Sequence, residues 1–533
     1  MVFAHRGVHM SSNATQFPEG MDPDTRRLHE LGYAQELNRK LGGFSNFAVS
    51  FSIISILTGG ITTYYLGMDA GGPVVITLGW LIVGLFTLMV GMSMAEITST
   101  YPTAGGLYYW AAKLAKRNSA AWSWTTGWFN LIGQVAITAS IDFGLANFVS
   151  FLIGLYVPSF HSNRYWILFF YGLILLLHGL LNTFSVQLVK LFSDISVWWH
   201  LVGTAVIVGF LLFLPTKHLA LSQLLTWNNS TGWSGANTGI YVFTIGLLLA
   251  QYTLTGFDAS AHMTEETHEA SKAPSRAILR AIYVSIVAAF VLNLAMTLCL
   301  PAIGSKAYGD IAILGPTAGA QIFINAIGGA GGKLLVIIAT VAMFFCGLAS
   351  VTANSRMIFA FSRDGAVPGH RMWSKINERT RTPTNSVWFA TIFAFLLGVP
   401  SLYQHGGASI AFFAIVSIGT VGLYIAYAIP IFLRLRRNDF KQGDWNLGSL
   451  SKAIGWIAVI WVAVITVLFF EPQFYPFWGW SNVNNFNWAL PVFVALLAII
   501  LAWWVLSARK WFTGPKIEGT EAELEAIEAE LRL

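Results

Sequence analysis

The chain has 533 residues, of which 55% are hydrophobic and only 11% are charged. A typical soluble domain carries about 25% charged residues, and a soluble fold of this length could not bury so much apolar surface. The composition therefore excludes a soluble protein and indicates a multi-pass membrane protein, for which the lipid bilayer is the apolar solvent. The formal net charge of +6 falls in loops and tails, so we expect no nucleic-acid partner.

Twelve apolar stretches along the chain have the length of a membrane-spanning helix, which needs about 20 residues. We number them spans 1 to 12 in chain order, and they cover residues 44–66, 73–99, 120–156, 164–182, 188–214, 238–262, 276–300, 334–362, 384–399, 408–433, 453–470 and 488–508. The predicted fold class is an all-α membrane protein with twelve transmembrane helices. Residues 106–117 predict an amphipathic helix at the inner surface, and the Gly-rich residues 317–333 predict a re-entrant or surface helix outside.

Lysine and arginine mark the cytoplasmic side of a membrane protein. With twelve spans, both predicted tails (residues 1–42 and 509–533) lie on one side, together with most of the 31 Lys and Arg residues. The residues on the other side are Arg164, Lys217, Lys306 and Lys333. The polar start of the chain does not resemble a cleavable signal peptide. We therefore predict a protein of the cell membrane with both termini in the cytoplasm.

Two spans contain residues that favour an interrupted helix. Span 1 carries the run from Ser55 to Thr62, with the pair Gly59 and Gly60 at mid-span. Glycines weaken a helix, and the N–H groups of the half-helix that follows form a positive end suited to a carboxylate. Span 6 carries the run from Thr253 to Ala261, which combines Gly256, several hydroxyl groups and Asp258. Matched interruptions in two five-span halves point to a central transport site, although a glycine pair alone also suits close helix packing.

Ionisable side chains inside a membrane are costly and usually functional. The candidates for proton coupling are Asp142, His200 and Asp258, with a structural hydrogen bond as the alternative role. His178 is predicted to be a packed histidine. Clamping of loops or capping of helices near the inner surface is predicted for Glu96, Glu265 and Glu266. The sequence contains no phosphate loop, CxxC or HExxH motif, so we expect no cofactor, no metal site and no enzymatic activity.

Several stretches carry a family resemblance, among them LHELGYAQEL (28–37), FSNFAVSFSIISILTGGITTYY (44–65), TGFDASAHMTEET (255–267) and NSRMIFAFSRDGAVPG (354–369). With them the chain resembles the amino acid–polyamine–organocation superfamily of permeases. The likeness is to the amino acid/choline permease branch, which includes GABA permeases and bidirectional amino acid transporters. The resemblance implies a five-plus-five inverted repeat with broken helices 1 and 6, formed by residues 43–214 and 238–433, and two extra helices within residues 453–508.

The resemblance also implies roles for residues at the two interruptions. The substrate carboxylate would meet the backbone of Thr58, Gly59 and Gly60, and the amine would meet carbonyl groups near Ser55, Ile56 and Thr255. Phe257 would close over the substrate, and the predicted substrate-binding set is completed by Ile61, Gly256 and Asp258. His200 falls near the span 5 position at which many sodium-independent relatives have a lysine, which fits proton-linked transport or exchange.

These inferences predict a secondary active transporter that moves an amino acid, GABA or a related amine by alternating access, coupled to protons or working by exchange. The alternatives are a choline or polyamine permease of the same fold, and a receptor that senses its substrate without transporting it. Free N–H donors in span 1 favour a substrate with a carboxylate, because choline would instead need aromatic faces. We then expect a side chain at Gly60 to fill the carboxylate site.

Overall fold

The structure is a computed structural model that describes residues 21–184, 186–235, 237–403, 407–479, 482, 485–516, 523, 524, 527 and 529. The two predicted tails lie partly outside the described residues. The chain divides into two compact units, one made of residues 37–516 and the other of the chain ends, 1–36 and 517–533. Helix Pro23–Leu31 belongs to the second unit, where the Asp22 side chain accepts the N–H of Thr25 and Gly32 ends the helix with a φ of 100°.

The larger unit is built of membrane-length helices that coincide with the predicted spans. In the described part of the chain, eleven helices are long and apolar enough to cross a membrane. They correspond to spans 1–5 and 7–12 and run Gly43–Thr62, Val75–Thr100, Ser119–Tyr156, Arg164–Phe184, Gln187–Phe213, Ala273–Leu298, Gly329–Arg363, Thr384–Leu402, Ile410–Leu435, Gly448–Leu468 and Ala489–Lys510. Span 6 consists of the shorter helices Thr238–Gly246, Leu248–Thr253 and Ala259–His262. The all-α membrane fold is thus confirmed, while the inverted repeat stays a prediction.

Burial separates the central helices from the peripheral ones. In span 1, 89% of the apolar window is buried inside the protein, whereas in span 12 the buried share is 17%. A helix that is apolar on all sides and still exposed is stable in lipid, because hydrocarbon solvates its side chains. Span 1 is therefore surrounded by protein, and its backbone lies in the interior of the helix bundle.

Short elements connect the spans. Helix Tyr64–Asp69 continues span 1, and the strands Ala70–Gly71 and Asn228–Asn229 pair in antiparallel fashion. Helix Leu107–Leu114 precedes span 3 and is buried except at Lys113. Its aromatic side chains are therefore covered by neighbouring protein, and its predicted position at the inner surface of the membrane stays a prediction.

A bent pair of helices, Lys306–Ala312 and Gly315–Ile327, follows span 7 with an angle of 110° between its members. Its second helix overlaps the predicted re-entrant or surface segment, but span 8 already begins at Gly329. The Tyr308 hydroxyl donates to the Met68 carbonyl at 2.9 Å, and Gly319 lies against Ile61. The bent pair thus packs on the second half of span 1.

Candidate functional site

Span 1 is interrupted at the predicted place. The first helix ends at Ile54, and Ser55 adopts a left-handed conformation with a φ of 30°. The Ser55 carbonyl then accepts the N–H groups of Thr58 at 2.8 Å and Gly59 at 3.0 Å. These two bonds close a tight turn, and a new helix begins at Gly59. Buried protein surrounds the turn on all sides, which is the condition for irregular backbone at membrane depth.

Span 6 is interrupted beside span 1. Helix Leu248–Thr253 ends before Gly256, which has a φ of 98°, and helix Ala259–His262 follows. This φ lies in the region that glycine adopts without strain. A β-carbon on Gly256 would also collide with the side chain of Ile53, so only glycine allows the two interruptions to touch.

A small cavity lies between the two interruptions. Its lining comes from spans 1, 3, 6 and 8 and comprises Ile53, Ile54, Thr58, Gly59, Ile137, Ile141, Tyr252, Thr253, Thr255 and Cys346. All ten residues are buried, so the cavity is closed toward both faces of the membrane. Its wall is apolar on the side of spans 3 and 8, apart from the Cys346 thiol. Hydroxyl groups are concentrated at the interruptions.

Unbonded backbone groups surround the turn in span 1. In the described part of the chain, no protein group accepts the N–H of Ile56, Leu57, Gly60 or Ile61. The first N–H groups of any helix lack an acceptor within that helix, and they carry the partial positive charge of the helix dipole. The turn therefore offers hydrogen-bond donors to a small anionic group.

The two adjacent glycines of span 1 face different neighbours. A β-carbon added to Gly59 would lie 2.7 Å from the Thr253 Cα, whereas one added to Gly60 would meet only Asn293 Oδ1, at 3.8 Å. Gly59 lines the cavity and Gly60 does not. The structure thus leaves room for a methyl group at Gly60, on the side of the half-helix that faces span 7. That a larger side chain there would fill the carboxylate site stays a prediction.

The other predicted substrate-binding residues are arranged around the cavity. Thr58, Gly59 and Thr255 line it, and Ser55 and Ile56 form the buried turn. Ile61 lies beyond it, against the bent pair. The ring of Phe257 packs on Tyr427, with 5.0 Å between ring centroids, and is outside the lining.

Seven residues that line the cavity are absent from the predicted substrate-binding set, although Thr253 lies in the predicted span 6 run. They are Ile53, Ile54, Ile137, Ile141, Tyr252, Thr253 and Cys346. The four-residue spacing of Ile137 and Ile141, which places them on one helix face, was the available signal in span 3.

His200 of span 5 is connected to the turn in span 1. Its Nδ1 lies 2.7 Å from the Ser196 carbonyl, which can only accept, so Nδ1 carries a proton. Its Nε2 lies 2.6 Å from Ser55 Oγ and, in the neutral ring, accepts the Ser55 hydroxyl. Ser55 Oγ also contacts Thr58 Oγ1. A chain of hydroxyl groups therefore joins His200 to a residue that lines the cavity.

Asp258 has both carboxylate oxygens occupied. Gln134 donates to Oδ2 at 2.7 Å, and the Tyr427 hydroxyl donates to Oδ1 at 2.7 Å. His262 Nε2 lies 3.4 Å from Oδ2, while its Nδ1 donates to the Ala104 carbonyl at 2.9 Å. The Asp258 side chain is wholly buried and does not line the cavity. Its contacts tie span 6 to spans 3 and 10.

Asp142 of span 3 is paired with His178 of span 4. Asp142 Oδ2 and His178 Nδ1 are 3.1 Å apart, and both side chains are fully buried. Asp142 lies next in sequence to Ile141, which lines the cavity. Gly347 of span 8 lies against both members of the pair. His178 is therefore packed, as predicted, but its neighbour is a carboxylate.

Two buried ion pairs lie where span 6 ends. Glu266 holds Arg356 with 2.7 Å between Oε1 and Nε, and Glu265 holds Arg363 with 3.1 Å between Oε1 and Nη2. Glu265 also accepts the N–H of Ala104 at 2.9 Å. These contacts join the end of span 6 to span 8. They show the clamping geometry expected of Glu265 and Glu266, and Glu96 makes the same kind of contact with Arg434, at 3.2 Å.

Comparison with known proteins identifies the family of this chain. The sequence model of a family described as amino acid permease matches residues 41–502. The chain belongs to the amino acid permease family. This membership confirms the resemblance seen in the sequence motifs, and it makes the protein a transporter for amino acids or related amines.

Proteins of similar sequence have names that agree with this family membership. It is 43% identical over 511 residues to the amino-acid permease BAT1 of Arabidopsis thaliana, with 93% of this chain and 96% of that protein covered. It is 42% identical over 516 residues to a BAT1 homolog of Oryza sativa, with the same coverage. A putative polyamine transporter of Candida albicans is 28% identical over 518 residues, covering 95% of this chain and 91% of that protein. The permease is thus a multi-pass membrane protein and not an enzyme.

Proposed function

We propose that this permease carries a small, electrically neutral amino acid across the membrane by alternating access, with the substrate bound in the cavity between the interruptions of spans 1 and 6. The observation that carries the proposal is a buried cavity lined by Thr58 and Gly59, which are flanked in the chain by residues whose N–H groups have no acceptor in the described part of the protein. An amino acid brings a carboxylate for those N–H donors, as helix N-termini favour anions. Its ammonium group would meet carbonyl oxygens near the turn at Ser55 and Ile56 and near Thr255.

The cavity lining favours this substrate class over the alternatives. Neither a carboxylate nor a cationic side chain is among the ten lining residues, and a charged group buried without a partner is strongly unfavourable. Polyamines and basic or acidic amino acids therefore lack a counter-charge. Choline would need a cage of aromatic faces, but Tyr252 is the one aromatic residue among the ten. A short side chain suits the wall of Ile137, Ile141 and Cys346, and GABA suits the same polar edge.

His200 gives this transporter a route from proton binding to substrate binding. In the neutral ring Nε2 accepts the Ser55 hydroxyl, and Thr58 in turn donates to Ser55. A proton on Nε2 turns it into a donor, so Ser55 must accept from His200 and donate to Thr58. The Thr58 hydroxyl is then released to donate into the cavity, where it meets the substrate carboxylate. Protonation and substrate binding thereby favour each other.

The proposed membrane is the cell membrane, with both termini in the cytoplasm. The distribution of Lys and Arg supports this orientation. In that orientation the ion pairs Glu265–Arg363 and Glu266–Arg356 lie at the cytoplasmic end. They would break when the cavity opens inward, and reform when it opens outward.

The test is uptake by the purified protein in liposomes, with labelled alanine, GABA, arginine, glutamate and choline offered in turn, with and without an inward proton gradient. We expect saturable uptake of a neutral amino acid that the gradient stimulates. Uptake that requires preloaded substrate makes the protein an exchanger. Binding without uptake would overturn the transport proposal in favour of a sensor, and uptake of choline or arginine alone would overturn the substrate class.

A matched pair of variants tests the place of binding. Thr58→Val removes the hydroxyl that faces the cavity but keeps the shape of the side chain. Thr340→Val in span 8 removes a hydroxyl that only donates to its own helix, at Val336, and serves as the control. We expect uptake to fall by about tenfold for Thr58→Val, as for a lost hydrogen bond to a charged group. Equal activity of the two variants would place the substrate elsewhere.

A further inference from the structure

The buried pair of Asp142 and His178 has an incomplete set of hydrogen bonds. One oxygen of the carboxylate, Oδ2, faces His178 Nδ1 at 3.1 Å. Among the described protein groups, the other oxygen, Oδ1, and the other ring nitrogen, Nε2, have no partner. Asp258 differs, because both of its oxygens accept hydrogen bonds. The Asp142–His178 pair is thus the buried acid–base pair in the described region that is left open on both sides.

The neighbouring titratable groups are already engaged elsewhere. The three that lie close to Asp142 are Tyr171 of span 4, Tyr252 of span 6 and Cys346 of span 8. The Tyr171 hydroxyl donates to the Ala394 carbonyl, and the Cys346 thiol donates to the Ile53 carbonyl at 3.3 Å. Tyr252 shares a hydrogen bond of 2.9 Å with Ser140. None of these groups supplies the missing contact, so Asp142 Oδ1 and His178 Nε2 stay without a partner among the described protein groups.

Charge in a buried site is governed by desolvation. With a carboxylate and a neutral imidazole the pair has a net charge of −1, and one bound proton makes it neutral overall. A low-dielectric interior favours the neutral total over the charged one. Water that reaches the pair stabilises the charged form and allows the proton to leave. Proton binding at this pair is therefore sensitive to whether the surrounding helices are closed.

The pair is placed to sense the transport cavity. Ile141, which precedes Asp142, lines the cavity, and so does Cys346, which precedes Gly347. A β-carbon at Gly347 would lie 2.5 Å from His178 Cε1 and would also collide with Asp142 Oδ1. Span 8 therefore rests directly on the pair on one side of its backbone and on the cavity on the other. A movement of spans 6 and 8 relative to span 3 changes both environments together.

We propose that Asp142 and His178 form a second proton-binding site of this permease, which takes a proton from water on one side of the membrane and releases it to water on the other during the transport cycle. The proton is the only species transferred, and no other bond is made or broken. This inference rests on the proposed transport function and extends it, because it assigns a proton site separate from His200. His178 acts as the partner that holds the proton near Asp142.

The experiment compares Asp142→Asn and His178→Asn with the unmodified protein in liposomes that contain a pH-sensitive dye, using the amino acid that the unmodified protein transports. Two quantities are measured: protons moved per substrate under an inward proton gradient, and substrate exchange at equal pH on both sides. We expect Asp142→Asn to lose the protons attributable to the pair and to retain exchange. Ser150→Ala, in the same helix but bonded to Ser162, is the matched control and should show unchanged values for both.

Three results separate the possibilities. Unchanged protons per substrate in both variants would overturn the proton site while leaving amino acid transport intact. If the unmodified protein transports no amino acid, the proposed function itself fails. If the single variants are unstable, the pH change on adding substrate is measured in detergent, for the unmodified protein and for a His200→Gln variant. Proton uptake that persists in the His200→Gln variant supports the pair. Loss of proton uptake in that variant overturns the second site.

Discussion

Replacement of Gly59 by alanine should disable transport, whereas the same replacement at Gly60 should be tolerated. The two residues are adjacent in one half-helix, and neither has a positive φ, so an alanine is compatible with the backbone at both. The difference lies in the space around them. The new methyl group at Gly59 would sit 2.7 Å from the Cα and 2.8 Å from the Oγ1 of Thr253, and the one at Gly60 would have its nearest neighbour at 3.8 Å.

The magnitude follows from the contact that must be relieved. Thr253 Cα belongs to the backbone of span 6, so the clash cannot be removed by a side-chain rotation. Overpacking of this kind typically costs about 1–3 kcal/mol, and each 1.4 kcal/mol corresponds to roughly a tenfold change in an equilibrium. We expect Gly59→Ala to reduce uptake by about tenfold or more. Gly60→Ala should be neutral or stabilising by up to about 1 kcal/mol, because alanine is the better helix former.

The assay is the initial rate of amino acid uptake in liposomes, normalised to the amount of reconstituted protein, together with the melting temperature in detergent. Gly309→Ala, at a position with open space in every direction, controls for the substitution itself. The reasoning would be refuted if Gly60→Ala lost as much uptake as Gly59→Ala, since both glycines would then act through the backbone of the half-helix and not through the contact with Thr253.

Three further outcomes are expected from other parts of the structure. His200→Gln should keep substrate exchange at equal pH but lose the stimulation of uptake by external acid; a retained stimulation contradicts the hydroxyl relay. Arg356→Gln leaves Glu266 buried without its partner, which should lower stability in detergent by about 3–5 kcal/mol, and adding Glu266→Gln should recover part of the loss. Burial raises the pKa of Asp69 from 3.8 to about 7, so the folded state binds more protons than the unfolded state and stability should fall as the pH rises through this window. Asp69→Asn should remove that fall in stability. If the melting temperature of the variant had the same pH profile as that of the unmodified protein, the prediction would be contradicted.

The places where the helices break were predictable because their causes are local. A glycine pair in span 1 and the run Thr255–Asp258 in span 6 lower the stability of a helix wherever they occur, and an interrupted helix in a membrane must face a cavity. Hydropathy located the twelve spans for the same reason. The orientation of each glycine was not predictable, because it depends on which of two neighbouring helices lies closer to each Cα.

Contacts between distant spans were the part that the sequence did not reveal. Ile137, Ile141 and Cys346 line the cavity only because spans 3 and 8 pack against span 1, and no periodicity identifies which apolar face meets the substrate. His178 lies 36 residues from Asp142, so its role as the partner of a carboxylate depends on how span 4 packs on span 3. Read locally, it is a histidine on an apolar helix.

The hydrogen bonds of the three buried acid–base sites suggest that each site has a different role. Asp258 accepts two hydrogen bonds and has His262 nearby, and its contacts hold spans 3, 6 and 10 together. His200 is satisfied as a neutral ring but becomes a donor on protonation, which reverses the hydroxyl groups leading to the cavity. The Asp142–His178 pair is satisfied in neither charged form, because one atom on each side lacks a partner. A fully bonded site has no free position for water, whereas a site with unmet hydrogen bonds gains partners when water enters. Alternating access supplies such a change in hydration, and this makes the open pair, rather than the closed network around Asp258, the site to which a second proton should be assigned.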